Sequence, residues 1–240
     1  MSDTRVFKVL RFDPDSGKAP EFHSFQVPIR KGMTVLDGLN WIQGNQDGSL
    51  AFRSSCRAGI CGSCAMHING KYRLACETQV ALLSGDVVVR PLGHLPIIKD
   101  LMVDLRGFWA KYKSIKPFLI AGDGAPEKER FQSQADRVHL DGVIDCILCA
   151  ACHAACPMTA SDPDYLGPAA LTKANRFVID SRDAHEDERL NLIGDEHGVF
   201  RCHSAMNCSD VCPRGVEPAG SIAHLKRRFV GRKLFRFARS

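Results

Sequence analysis

The spacing of eleven cysteines constrains this chain more than any other feature. Cys146, Cys149, Cys152 and Cys156 form C-x2-C-x2-C-x3-C, and Pro157 follows at once. That run wraps thiolates around a cubane iron–sulfur cluster. Cys56, Cys61 and Cys64, with Cys76 beyond them, form C-x4-C-x2-C…C, the spacing of a two-iron cluster. Cys202, Cys208 and Cys212, before Pro213, look like a second cubane run with one ligand missing. Two cluster types in one chain describe a wire for single electrons.

The rest of the composition excludes competing uses of cysteine. The N-terminal stretch MSDTRVFKVLRFDPDSG lacks the apolar core of a secretory signal and the acid-poor character of a transit peptide. The chain is therefore expected to stay where it is made, in a bacterial cytosol. There, an odd number of cysteines at C-x2-C spacing argues for metal rather than disulfides. No apolar run approaches the roughly 18 residues of a membrane span. The net charge is +5, but residues 225–240 carry seven basic side chains and no acidic one, which leaves −2 for the remainder. A nearly neutral body with a basic tail has no basic and aromatic stripe for nucleic acid.

The 240 residues suffice for two cores. Residues 6–12 alternate as a strand, a turn follows at residues 13–17, and residues 22–29 form a second strand. Thr34 caps a helix through Leu36, Leu39 and Ile42. Asn69-Gly70 joins residues 65–68 and 71–74 in a hairpin. Residues 86–91 close a small mixed sheet. Residues 97–112 read as helix, and residues 115–129 as irregular. Pro168 suits the first turn of a helix that places Leu171, Ala174 and Val178 on one face. A second, more polar helix is predicted over residues 182–192, ended by Gly194.

Two irons bridged by sulfide need four thiolates. Cys56, Cys61 and Cys64 supply three from one loop, where Gly59 and Gly62 let the backbone curl closely, and Cys76 returns after the hairpin as the fourth. A structural zinc site is the alternative, although zinc favours paired knuckles. In two-cluster ferredoxins the fourth cysteine of each run ligates the other cluster. Cys146, Cys149 and Cys152 are therefore completed by Cys212 in a [4Fe–4S] cluster, and Cys156 joins Cys202 and Cys208. The missing ligand position is Ala205. Three thiolates suit a [3Fe–4S] centre; a cube with a non-protein fourth ligand is the alternative.

The long motifs SCRAGICGSCA, CILCAACHAACP, GPAAL…DSRD and RCHSAMNCSDVCPRGVEP resemble the iron–sulfur subunit of succinate dehydrogenase, with fumarate reductase as the sister enzyme. The resemblance covers nearly the whole chain. It implies an α+β protein: a β-grasp, plant-type ferredoxin domain over residues 1–104, then an α-helical, bacterial-type ferredoxin domain over 105–240 with the basic tail. It implies electrons passing from FAD in a separate flavoprotein subunit, through [2Fe–2S], [4Fe–4S] and [3Fe–4S] clusters, to quinone at a transmembrane anchor. No dicarboxylate site is expected in this chain. Its expected place is the cytoplasmic face of the bacterial inner membrane. Fumarate reductase, the same path run backwards, is the alternative. Many relatives have Asp where this chain keeps Cys64. His203 and Ala205 match positions that line the quinone pocket in relatives. Ser161 stands where ubiquinone-reducing relatives carry a tryptophan, which leaves menaquinone open as the acceptor.

Four further features complete the reading. His153 is expected beside a cluster rather than on it. Phe108 and Trp109 are expected to pack an inter-domain helix. Asp180, Arg182 and Asp183 read as a salt-bridge cluster at a helix end. The tail is expected to meet anionic lipid, with Ile222, Leu225 and Phe229 as an apolar face beneath the charges.

Overall fold

The computed structural model describes residues 4–122, 124 and 126–237, with side chains described as far as residue 232. Along the chain lie β1 (Thr4–Arg11), β2 (Glu21–Pro28), α1 (Val35–Asn45), β3 (Ala65–Ile68), β4 (Lys71–Leu74), β5 (Val87–Arg90), β6 (Ile97–Lys99) and β7 (Met102–Val103). Then come α2 (Arg106–Ser114), α3 (Gln134–Val138), α4 (Ala151–Ala155), α5 (Pro157–Ser161), α6 (Gly167–Val178), α7 (Glu186–Ile193), α8 (Asn207–Asp210) and α9 (Pro218–Phe237). Internal contacts divide the chain into two units, Met1–Leu105 with Ile147–Ala155, and Arg106–Cys146 with Cys156–Ser240. Residues 147–155, read from sequence as part of the helical domain, pack with the first unit.

The first unit is a five-stranded mixed sheet, ordered β2-β1-β5-β3-β4, beside one long helix, the β-grasp arrangement. Alternation in β1 turns Phe7 and Val9 inward, both fully buried. Leu36, Leu39 and Ile42 of α1 complete this core. A reciprocal capping box starts α1: the Asp37 amide donates to Thr34 Oγ1 at 3.1 Å, and the Thr34 amide donates to Asp37 Oδ2 at 3.0 Å. The Asn69-Gly70 turn has φ of 43° and 84°, the two left-handed residues a tight hairpin requires. Asn69 Oδ1 then accepts from the Val88 amide at 2.7 Å, which pins the hairpin to β5.

Residues 97–112 are not one helix. β6 pairs with β7, and α2 begins only at Arg106. The cause is tertiary. Asp100, at φ 48° and 1% exposed, accepts from Arg11 Nε, the Phe12 amide and the Ala51 amide, each at 2.9 Å. Three distant donors on one buried carboxylate outweigh the local helical pattern.

In the second unit α6 buries Leu171, Ala174 and Val178 as its periodicity predicts. It packs against α9, whose Ile222 and Leu225 lie in the same core as Leu190 and Ile193 of α7. The apolar face expected to meet lipid is thus used internally, with Phe229 packed against the core. Lys226, Arg228 and Arg232 of the tail are engaged too. Arg228 grips Glu186 through two bonds of 2.8 and 2.6 Å, and Arg232 pairs with Asp187 at 3.0 Å. Lys233, Arg236 and Arg239 lie outside the described side chains. No helix among the described residues is long and apolar enough to cross a membrane.

Helix α7 starts at Glu186, four residues later than predicted. The preceding chain wraps around two carboxylates instead. Asp180 accepts from the Arg182 amide at 3.1 Å, and Asp183 from the His185 amide at 3.1 Å. Such side-chain turns compete with helix. Asp180 is also paired with Arg176 and Arg182, at 2.9 and 2.8 Å. Phe108 is buried, whereas Trp109 is half-exposed, its ring edge-on to Phe108 at 5.3 Å.

Candidate metal centres

None of the eleven cysteines is joined in a disulfide. Cys56 and Cys61 lie on an exposed loop in which Arg57, Gly59 and Gly62 take positive φ. Left-handed residues spaced this way turn successive amides to one side, a concave array for anionic atoms. Here the array meets sulfur. The amides of Ala58, Ile60 and Cys61 donate to Cys56 Sγ at 3.4, 3.4 and 3.3 Å, and the Cys56 amide donates to Cys61 Sγ at 3.4 Å. The Ser63 hydroxyl and the amides of Cys56 and Ser63 pull the Cys61 thiol down to about 6. The loop is built for thiolate.

The hairpin delivers the other two thiols. Cys64 directly precedes β3, and Cys76 follows β4. Pairing of Ala65 with Leu74 and a 3.0 Å bond from the Ala75 amide to the Cys64 carbonyl bring the two together. Burial, with Cys76 alongside, pushes the buried Cys64 thiol up to about 12. A buried thiol raised this far becomes stable as thiolate only against a cation. The four-thiol set with its inward amides fits a two-iron cluster.

Cys149 and Cys152 belong to the first unit. Their loop has positive φ at two non-glycine residues, Leu148 (55°) and Ala150 (62°). Gly62 lies against it: at φ 71°, a Cβ there would sit 2.7 Å from Cys149 Cβ. The first and second cysteine loops therefore meet with no side chain between them. His153, on α4, is 5% exposed. Cys146 and Cys212 belong to the second unit, where Cys212 follows α8.

Three thiols converge within the second unit. Cys156, the N-cap of α5, shares a pocket with Cys202, Cys208, His203 and Ala205. Pro157 starts α5 without needing an amide partner, and Thr159 Oγ1 donates to the Cys156 carbonyl at 2.7 Å. Ser204 and Met206, at φ 58° and 65°, flank Ala205 and curl the loop around the pocket. The Ser204 amide donates to Cys202 Sγ at 3.4 Å. Burial, then the charges of Cys156 and Cys202, push Cys208 up to about 11, and burial raises Cys156. Such a set of converging thiols suits a cationic centre. Ala205 lines the wall without a ligand atom, so the chain offers this centre three thiols.

Ser161 does not line this pocket; it is exposed and donates to the Met158 carbonyl at 3.3 Å. Met158 and Tyr165 line it instead. Two contributors carried no sequence signal. Lys226 of α9 donates to the Cys202 carbonyl at 2.6 Å from 24 residues away. Tyr165 is fully buried, and its hydroxyl has no hydrogen-bond partner among the described residues. That orphaned donor fits a centre carrying sulfide acceptors.

Comparison with known proteins agrees with both halves of this description. Residues 6–110 match a 2Fe-2S iron-sulfur cluster binding domain, and residues 142–216 a 4Fe-4S dicluster domain. The chain is 46% identical to the succinate dehydrogenase iron-sulfur subunit of Paracoccus denitrificans over 96% of its own length and 90% of that protein's. It is also 46% identical to the mitochondrial succinate dehydrogenase [ubiquinone] iron-sulfur subunit 1 of Oryza sativa, over 94% of this chain and 82% of that protein. Among solved structures, a chain of the Mycobacterium smegmatis Sdh1 complex in the apo form superposes with a TM-score of 0.88 at 29% identity, covering 98% of each chain.

Proposed function

This chain belongs to the succinate dehydrogenase iron–sulfur subunit family, and from that premise we propose that it carries electrons from an FAD-containing flavoprotein subunit, which oxidises succinate, to quinone at a transmembrane anchor. Bound iron–sulfur clusters supply reversible one-electron chemistry. The chain's own residues bind them, tune them and set their spacing. Cys56, Cys61, Cys64 and Cys76 hold [2Fe–2S]. By the ferredoxin pattern, Cys146, Cys149, Cys152 and Cys212 hold [4Fe–4S]. Cys156, Cys202 and Cys208 hold [3Fe–4S].

The observation that carries this reading is the terminal pocket, with three thiols and Ala205 in its wall. A chain that withholds a fourth sulfur selects a three-iron centre, whose potential is set by cluster type and charge. At the entry end, amide donors on Cys56 and Cys61 stabilise a charged cluster near an exposed surface. Gly62 keeps the first and second loops in backbone contact, because electron tunnelling decays steeply with distance. At the exit end, exposed His203 stands beside the three thiols. In this reading His203 holds a quinone oxygen, with Ala205 in the shared wall and Ser161 outside it. The chain attaches to the membrane through partner subunits.

Anaerobic purification followed by iron and sulfide assay tests the reading. About nine irons per chain are expected, the sum over the three cluster types. Electron paramagnetic resonance should show an oxidised three-iron signal beside two clusters visible on reduction. Stoichiometric zinc with little iron overturns the assignment.

A further inference from the structure

Tyr165 stands out among the buried side chains of the second unit because its hydroxyl finds no hydrogen-bond partner at normal geometry among the described residues. Its ring packs with Leu171, Ala174 and Ile222 in a core where phenylalanine would serve equally well. Yet the side chain is a tyrosine with 0% exposure, and its Oη has no hydrogen-bond partner among the described residues. A buried O–H left unpaired carries the full loss of its hydration. The nearby carboxylate in sequence does not relieve it. Asp162 accepts from His197 Nδ1 and the Asp164 amide, each at 3.0 Å. The ring lines the same pocket as Cys156, Cys202 and Cys208. Three thiol sulfurs therefore share its pocket.

We propose that Tyr165 donates its phenolic O–H to a sulfur of the three-iron centre, a sulfide or the Cys202 thiolate, and so holds the reduction potential of that centre high. The inference rests on the terminal-cluster reading above. Reduction adds one electron, hence one negative charge, to the iron–sulfide core. A fixed donor on sulfur binds the more negative state more strongly and favours it. Backbone contacts hold the residue in position: the Tyr165 amide donates to the Asp162 carbonyl at 3.2 Å, and the next amide, Leu166, to the His197 carbonyl at 2.9 Å. Tyr165 is a tuning residue that touches the centre, not a carrier of electrons or protons.

Tyr165→Phe in the intact complex tests this, with the three clusters titrated separately by potential-controlled electron paramagnetic resonance. At a fixed poise, the reduced-to-oxidised ratio of the three-iron signal should fall about tenfold, equal to a drop of about 59 mV for one electron. The other two midpoints should not move. An unchanged three-iron midpoint overturns the proposal, and so does an equal movement of all three, which a general structural role would give. Absence of any three-iron signal from the parent complex overturns instead the reading on which the proposal rests. A second measurement needs no variant. Electron–nuclear double resonance on the parent should find a strongly coupled proton at the three-iron centre that exchanges in deuterated buffer. Absence of that proton overturns the proposal even where Tyr165→Phe fails to assemble.

Discussion

Arg189→Met is expected to cost the second unit about 3 kcal/mol, at the low end of the range for breaking a buried ion pair. The guanidinium is 1% exposed and binds Asp183 through two bonds, Nη2 to Oδ2 at 2.6 Å and Nε to Oδ1 at 3.0 Å. It also donates to the carbonyls of Lys116 at 2.8 Å and Phe118 at 2.6 Å, and lies 4.5 Å from the centre of the Phe177 ring. Methionine fills the volume but strands a carboxylate and two carbonyls. Two amides remain on Asp183, Ile120 at 3.0 Å and His185 at 3.1 Å, which is why the low end applies. The assay is urea unfolding of the cluster-loaded chain followed by circular dichroism. With a slope of about 3 kcal/mol per molar, the midpoint should fall by about 1 M. The pH dependence gives a second check. Burial opposes ionisation of Asp183, but Arg189 and the two amides outweigh it and hold the carboxyl below its ordinary range. In the parent that stability is present above the ordinary aspartate pKa and is lost only as pH falls through the lowered one. Without the guanidinium, burial lifts the carboxyl instead. The variant then gains a proton in its folded state as pH falls, and its deficit shrinks toward pH ~5. A midpoint shift under about 0.3 M, or a deficit that does not change with pH, refutes the reasoning.

Ala205→Cys should supply the missing sulfur and convert the three-iron centre to a four-iron cube; an oxidised three-iron signal that survives unchanged contradicts this. Gly62→Ala adds a methyl in left-handed backbone 2.7 Å from Cys149 Cβ, so a loss of roughly 2 kcal/mol or more is expected. Its readout is reduced two-iron signal per chain on anaerobic reconstitution. Lys226→Met removes the donor on the Cys202 carbonyl. The three-iron centre should be lost faster on dilution while the two-iron signal keeps its amplitude. Thr34→Ala removes one half of the capping box and should lower stability by about 1 kcal/mol, measured by the same urea unfolding, without changing any cluster spectrum.

Wherever bonding partners sit close in sequence, this chain is legible from its letters. Thiolate spacing reflects the reach of a short loop around a cluster. Asn69-Gly70 predicts its hairpin because both residues tolerate positive φ, and Thr34 with Asp37 caps α1 three residues apart. The periodicity of Leu171, Ala174 and Val178 marks the face of α6 that becomes core. Tertiary structure decided what depends on partners brought from afar. Asp100 draws Arg11, Phe12 and Ala51 to itself and turns a predicted helix into a strand pair. Asp180 and Asp183 delay α7 by capturing amides and arginines. Ile222 and Leu225, read as a surface for lipid, face α6 and α7 instead, because an amphipathic pattern states that a face is buried and not what buries it. The terminal pocket divides along the same line. Its three sulfurs and Ala205 follow from spacing, since a cluster's ligands come from short loops. Lys226 on Cys202 and the burial of the Tyr165 hydroxyl beside the three thiols come from tertiary packing, which no local pattern records.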